Sequence, residues 1–313
     1  MPRNYSKFIK EKIKEIKEVV GKEKALSVLS GGVDSSTVTI LGHKALGKNL
    51  KVVFINNGLM REKEPENVAK TFRKFGIKVG VVNAQNNFFN ALRGKTDPEE
   101  KRQIITDVFY KDVFKKILKK NRIKLLLQGT ILTDIEETIA GIKRQHNILE
   151  QIGIDPQKEY GYRIIEPLKE LRKDEVRKVA KLLGLPEEVH RRIPFPGPAL
   201  ATRVIGGVNP GKIEIVRKAT AIVEEELKNS GAFQYFPVLM GDKATGIKNG
   251  KRELGNIIII RCVESLDART ATSTKLSWNI LEKITKRLTT EIPGVNRVCY
   301  DITPKPPATI EYI

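Results

Sequence analysis

The stretch Ala25-Leu26-Ser27-Val28-Leu29-Ser30-Gly31-Gly32-Val33-Asp34-Ser35-Ser36 decides the fold of this chain. Its first five residues form a short apolar run, as expected of a strand buried on both faces, and the run stops at a glycine pair. Beyond it, Val38, Ile40 and Leu41 lead a helical stretch to about Gly47. A strand, a glycine turn and a helix in that order present unpaired backbone N–H groups to an anion, so residues 30–36 read as a phosphate-binding loop. Gly31 and Gly32 allow close backbone approach, and the hydroxyls of Ser30, Ser35 and Ser36 can donate to phosphate oxygens.

The rhythm continues outward from this loop. Val52-Val53-Phe54-Ile55, Val79-Gly80-Val81-Val82 and Leu125-Leu126-Leu127 read as strands separated by helical stretches. Such alternation predicts an α/β fold with a doubly wound parallel sheet. A helix is expected over residues 6–20, with Ser6 as its N-cap and Gly21 as its stop, and another begins at Asp97, capped by that carboxylate with Pro98 in the first turn. Ile193-Pro194-Phe195-Pro196-Gly197-Pro198 has turn chemistry throughout and marks a boundary between residues 1–195 and residues 196–313. The second part reads as a smaller α+β domain, with helices at about 209–229 and 278–291 and strands near 234–240, 256–264 and 296–302.

Composition bounds the function. The 313 residues carry 57 Lys and Arg against 37 Asp and Glu, a formal charge of +20, but acids interleave with the lysines, as in Lys10-Glu11-Lys12-Ile13-Lys14-Glu15. That pattern is a solvated helix face, and it favours a basic funnel for small phosphorylated substrates over nucleic-acid binding. Cys262 and Cys299 lie in apolar stretches, form no metal-ligand spacing and read as buried, reduced thiols. The N-terminus lacks an apolar signal core and no apolar run reaches about 18 residues, so a cytoplasmic protein with no membrane partner is expected.

The loop lacks the lysine of a GxxxxGK[ST] motif and has Asp34 instead, which makes sense beside phosphates if it orients a magnesium ion or the loop itself. Ser30-Gly31-Gly32-Val33-Asp34-Ser35-Ser36 resembles the PP-loop of the N-type ATP pyrophosphatases, with the adenine nucleotide alpha hydrolase-like fold that this implies. Thr96-Asp97-Pro98-Glu99-Glu100-Lys101-Arg102, Gln128-Gly129-Thr130, the 194–198 turn and Lys305-Pro306-Pro307-Ala308-Thr309-Ile310-Glu311 further resemble the GMP synthetases of that superfamily. No glutaminase region precedes the loop, which is similar to the two-subunit archaeal arrangement.

The resemblance implies a ligase that uses ATP and Mg2+ to adenylate xanthosine monophosphate, releases pyrophosphate, and lets ammonia displace AMP to give GMP. It also implies a separate glutamine amidotransferase subunit as ammonia source and a homodimer formed through the C-terminal domain. Carried over to this chain, Ser30–Ser36 and Gln128, Gly129 and Thr130 bind ATP, and Arg102, Lys305 and Glu311 bind the nucleotide acceptor. Asp34 and Asp134 are the expected metal ligands, although Asp134 could instead simply cap a helix; Asp34, Lys143 and His146 are the expected catalytic groups.

Three places depart from the family. The lid reads Ile142-Lys143-Arg144-Gln145-His146-Asn147-Ile148-Leu149-Glu150-Gln151, with one histidine and a glycine pair replaced. Gly250 stands where a substrate-binding aspartate is expected, and Asp267-Ala268-Arg269-Thr270 replaces DGMT. A paralogue that adenylates another acceptor, or a nucleotide-binding regulator without turnover, therefore stays open as an alternative.

Overall fold

A computed structural model describes residues 3–139, 161–190, 192–266 and 268–312. The chain divides into two compact units, neither a continuous run: 1–56 with 63–84 and 109–192, and 57–62 with 85–108 and 193–313. Segments 57–62 and 85–108, which a single boundary at 195 assigns to the first part, belong to the second unit.

The first unit is built on five parallel strands in the order β3-β2-β1-β4-β5. They are β1 (Ala25–Leu29), β2 (Leu50–Asn56), β3 (Val79–Asn83), β4 (Leu125–Leu127) and β5 (Arg163–Ile165). Ala25 pairs with Leu50 on one side and Leu125 on the other, so β1 is central. The chain runs outward from β1 to β3 and then returns to lay β4 against β1. That reversal opens a crevice beyond the carboxyl ends of β1 and β4, the usual ligand position in such sheets. Leu26, Leu29, Phe54 and Leu126 are buried, and each contributes about 1.5–3 kcal/mol of apolar transfer.

Helix Tyr5–Val20 ends at Gly21 as expected. Its cap is Asn4 rather than Ser6: Asn4 is extended and its side chain accepts the Lys7 N–H at 3.0 Å, while Ser6 already lies inside the first turn. Helix Val33–Leu46 leaves the phosphate loop and is buried from Ser36 to Gly42. Its threonine hydroxyls are paired there. Thr37 and Thr39 each donate to a carbonyl four residues back at 2.7 Å, and Ser27 and Thr39 share a 2.8 Å bond, which avoids the penalty of about 1–3 kcal/mol for a buried orphan.

The second unit holds a four-stranded sheet. β6 (Gln234–Lys248) and β7 (Lys251–Glu264) form a long antiparallel hairpin, while β8 (Thr272–Ser273) and β9 (Val295–Asp301) pair with β7. Helices Pro210–Leu227 and Trp278–Glu291 complete the α+β character. Asn249 and Gly250 make the hairpin turn with φ of 49° and 74°. Both values are positive, as a two-residue turn matched to the strand twist demands, so Gly250 serves the turn. Cys262 is buried but Cys299 is exposed, contrary to the expectation of two buried thiols, because residues along β9 alternate between faces. Among the described residues no helix is long and apolar enough to cross a membrane.

Candidate functional site

In the first unit the loop after β1 and the loop after β4 come together at the sheet reversal. Gly32 caps helix Val33–Leu46 without any side-chain hydrogen bond, leaving the first turn open to an anion. The serines fold the loop on itself. Ser30 and Ser35 hydroxyls lie 2.9 Å apart, Ser35 Oγ donates to the Gly32 carbonyl at 3.1 Å, and the Gly32 N–H donates to Ser30 Oγ at 3.3 Å. From the other loop, a Cβ on Gly129 would come within 3.0 Å of the Asp34 carbonyl carbon and the Ser35 nitrogen, so only glycine permits this approach. Gln128 is anchored through its N–H to the Ile165 carbonyl at 2.9 Å, and its side-chain amide donates to Thr130 Oγ1 at 3.2 Å.

Two buried polar atoms in the loop have no hydrogen-bond partner among the described residues: Asp34 Oδ1 and Ser36 Oγ. The other Asp34 oxygen accepts from Lys173 Nζ at 2.5 Å. Magnesium is commonly held by one or two carboxylates together with substrate phosphates, so the unpartnered Asp34 oxygen fits that ion. Asp134 behaves differently. Its carboxylate accepts the Ile131 N–H at 3.1 Å and so caps helix Leu132–Ile139. Among the described residues no group of three or more His, Cys, Asp or Glu side chains could hold a metal by itself; substrate oxygens would have to complete the shell.

Three supporting side chains escaped the sequence reading because they lie far from the loop along the chain. Lys173, at the start of a helix, holds Asp34. Arg192 Nη1 donates to the Gly31 carbonyl at 2.9 Å and to buried Glu64 Oε1 at 2.5 Å, and its Nη2 pairs with Glu64 Oε2. The loop backbone is thus pinned by an ion pair. Lys143 and His146 lie outside the described residues, as do the lid departures at Gln145 and Ile148–Gln151.

The second unit holds the remaining expected residues, Lys305 and Glu311 in the C-terminal segment and Arg102 on a separate helix. Glu311 Oε1 accepts from Gln234 Nε2 at 2.6 Å and from Arg203 Nη2 at 3.2 Å, while Glu311 Oε2 is buried without a partner among the described residues. Arg203 is 1 % exposed and lies over the rings of Phe195 and Phe236, at 5.0 and 4.4 Å. Fully buried Arg261 pairs with Asp301 at 3.2 Å and donates to the carbonyls of Thr303 and Thr309 at 2.5 and 3.1 Å, pinning the segment on both sides of Lys305. Burial alone would raise the Asp301 carboxyl, but donation from Tyr312 and Thr303, with the Arg261 charge, holds it below its ordinary value.

Lys305 itself donates to the Ala268 carbonyl at 2.8 Å, which joins it to the altered 267–270 stretch. Arg102 is partly exposed on helix Pro98–Asp107, whose cap is Asp97 as expected, and its Nε lies 3.5 Å from Glu99. Its neighbour Lys101 is buried. The Lys101 ammonium donates to the carbonyls of Ala201, Val204 and Gly206 at 3.4, 2.9 and 3.1 Å. Burial, reinforced by the charge of Lys212 and opposed by Asp97, lowers its pKa to about 8.

Similarity to known proteins covers both units. The family model described as NAD synthase matches residues 3–197, and that described as GMP synthase C terminal domain matches residues 221–312. The chain is 51 % identical over 312 residues to one subunit of the glutamine-hydrolyzing GMP synthase of Pyrococcus horikoshii, covering 99 % of each chain. It is 51 % identical over 306 residues to the corresponding subunit from Archaeoglobus fulgidus, covering 98 % of each, and 49 % identical over 311 residues to that from Methanocaldococcus jannaschii, again covering 98 % of each.

Proposed function

The chain belongs to the family of these GMP synthase subunits, and from that premise we propose that it is the ATP-dependent ligase that converts xanthosine monophosphate to GMP with ammonia from a separate glutamine amidotransferase subunit. The observation that carries this reading is that the similarity runs through nearly the whole chain and both units rather than through the phosphate loop alone. It favours the synthetase over a paralogue with another acceptor.

The chemistry needs activation. The carbonyl at ring carbon two is a poor electrophile with oxide as its leaving group, whereas its adenylate departs as AMP from a polarised site. Ser30–Ser36 bind the β- and γ-phosphates through loop N–H groups and hydroxyls, and Gln128, Gly129 and Thr130 line the nucleotide crevice. Asp34, held by Lys173 through its other oxygen, would offer its unpartnered oxygen to magnesium, which when bound would supply neutralisation of the pyrophosphate charge. Asp134 supports this loop as a helix cap. The first unit serves as the ATP pyrophosphatase part, and the second, which takes in residues 57–62 and 85–108 as well as 193–313, as the acceptor-binding and dimerising part. Arg102, Lys305 and Glu311 receive the acceptor, with Lys143 and His146 acting from the lid. The protein works in the cytoplasm as a homodimer.

A pyrophosphate-release assay with ATP, magnesium, ammonium and xanthosine monophosphate tests the reading. Release that requires xanthosine monophosphate and matches GMP formed supports it. ATP binding without such release, or release only with another acceptor, contradicts it.

A further inference from the structure

Resting on the proposed acceptor role of Glu311, we infer that Arg203 and Lys101 are positioning residues that fix this carboxylate so that Oε2 alone is offered to an N–H or O–H donor of the acceptor nucleotide. The geometry is asymmetric. Oε1 takes Gln234 and Arg203, and Oε2, though buried, takes no donor among the described residues. A carboxylate held by one oxygen cannot turn its free oxygen away without breaking two bonds, one of them to a cation.

Arg203 is itself held firmly. Its guanidinium lies over the Phe195 and Phe236 rings, and Phe195 also receives Arg61 at 4.0 Å. Lys101 then fixes the backbone that carries Arg203. The carbonyls it binds, at 201, 204 and 206, bracket position 203 on both sides. Two buried cations are expensive to desolvate, and an apolar pair would pack without that penalty. Arg203 Nε and Nη1 have no hydrogen-bond partner among the described residues. Such a cost fits orientation of a substrate-binding carboxylate better than simple packing.

The test measures pyrophosphate release by the full chain at varied xanthosine monophosphate. Arg203→Met is expected to raise the acceptor KM about tenfold or more, the loss of one hydrogen bond to a charged group, while the ATP KM stays unchanged. Arg203→Lys recovers part of this, and Lys101→Met moves the acceptor KM in the same direction with recovery in Lys101→Arg. Combined with Glu311→Gln, the Arg203→Met effect should vanish, because both act through one carboxylate.

A folded Arg203→Met protein with unchanged acceptor KM, or additive effects in the double variant, overturns the inference alone. Glu311→Gln without effect on the acceptor KM overturns it together with the placing of the acceptor at Glu311. If Arg203→Met does not fold, Gln234→Leu, which removes the other Oε1 donor, decides: a raised acceptor KM that disappears in Glu311→Gln supports the inference, and an unchanged KM overturns it.

Discussion

The phosphate loop draws its ligand-facing groups from consecutive residues, Ser30 to Ser36, whereas the Glu311 carboxylate is held by side chains 108 and 77 residues away along the chain. The first arrangement is local: a glycine turn feeding a helix creates anion-binding N–H groups wherever it occurs. The second depends on tertiary structure, because a buried carboxylate is oriented only by whatever donors the fold delivers to it. One element is therefore suited to a reaction shared by many enzymes, and the other to recognition of one acceptor.

The sharpest way to break this comparison is at Asp34. Asp34→Asn should lower kcat/KM for pyrophosphate release about 10²–10³-fold, the scale of losing one charge-stabilising group at the reacting phosphates, with the acceptor KM unmoved. A change confined to the acceptor KM would reverse the assignment of the two regions.

Next is a pH effect confined to the second region. Lys101 has a folded pKa of about 8 against an ordinary 10.5. The folded chain favours its neutral form, so between these values the unfolded chain binds more protons and folding stability rises as pH increases, by about 3 kcal/mol. Urea unfolding of wild type and Lys101→Met across that window should show the rise only in wild type. An equal rise in the variant would detach it from Lys101.

Gly129→Ala should act on the first region alone. Its methyl group meets the backbone at Asp34 and Ser35, so the crevice must open, at a loss of about 1–2 kcal/mol and with a raised ATP KM. An unaltered ATP KM would separate this loop from the nucleotide. The smallest effect belongs to the exposed pair Arg172–Glu136, 2.6 Å apart: Glu136→Gln should change the unfolding free energy by less than about 0.5 kcal/mol, as most surface pairs do.

How much was legible in sequence follows the same division. The strand, loop and helix at 25–46 and the helix at 278–291 were readable because each is set by its own residues. Asn4 was overlooked as a cap because Ser6 offers the same chemistry two residues later. Cys299 lies on a strand whose inward and outward residues alternate, and an apolar neighbourhood in sequence does not say which face a residue takes. That Gly250 sits in a hairpin turn with positive φ shows only once the two long strands are paired.

Lys173, Arg192, Arg203 and Lys101 could not be selected at all. Among 57 cationic residues, nothing local distinguishes a lysine that grips three carbonyls from one that faces water. The string resemblance in the 96–102, 194–198 and 305–311 segments pointed toward the second region, and it named Arg102, Lys305 and Glu311 rather than the buried cations Lys101 and Arg203.

The central claim is that the 30–36 loop retains pyrophosphate while the acceptor carbonyl is adenylated. Xanthosine monophosphate labelled with heavy oxygen at ring carbon two, turned over with ATP, magnesium and ammonium, tests it most directly. The account predicts that the label appears in the phosphate of AMP, with unlabelled pyrophosphate. Label in inorganic phosphate accompanied by ADP, as expected if the γ-phosphate were transferred instead, would contradict it.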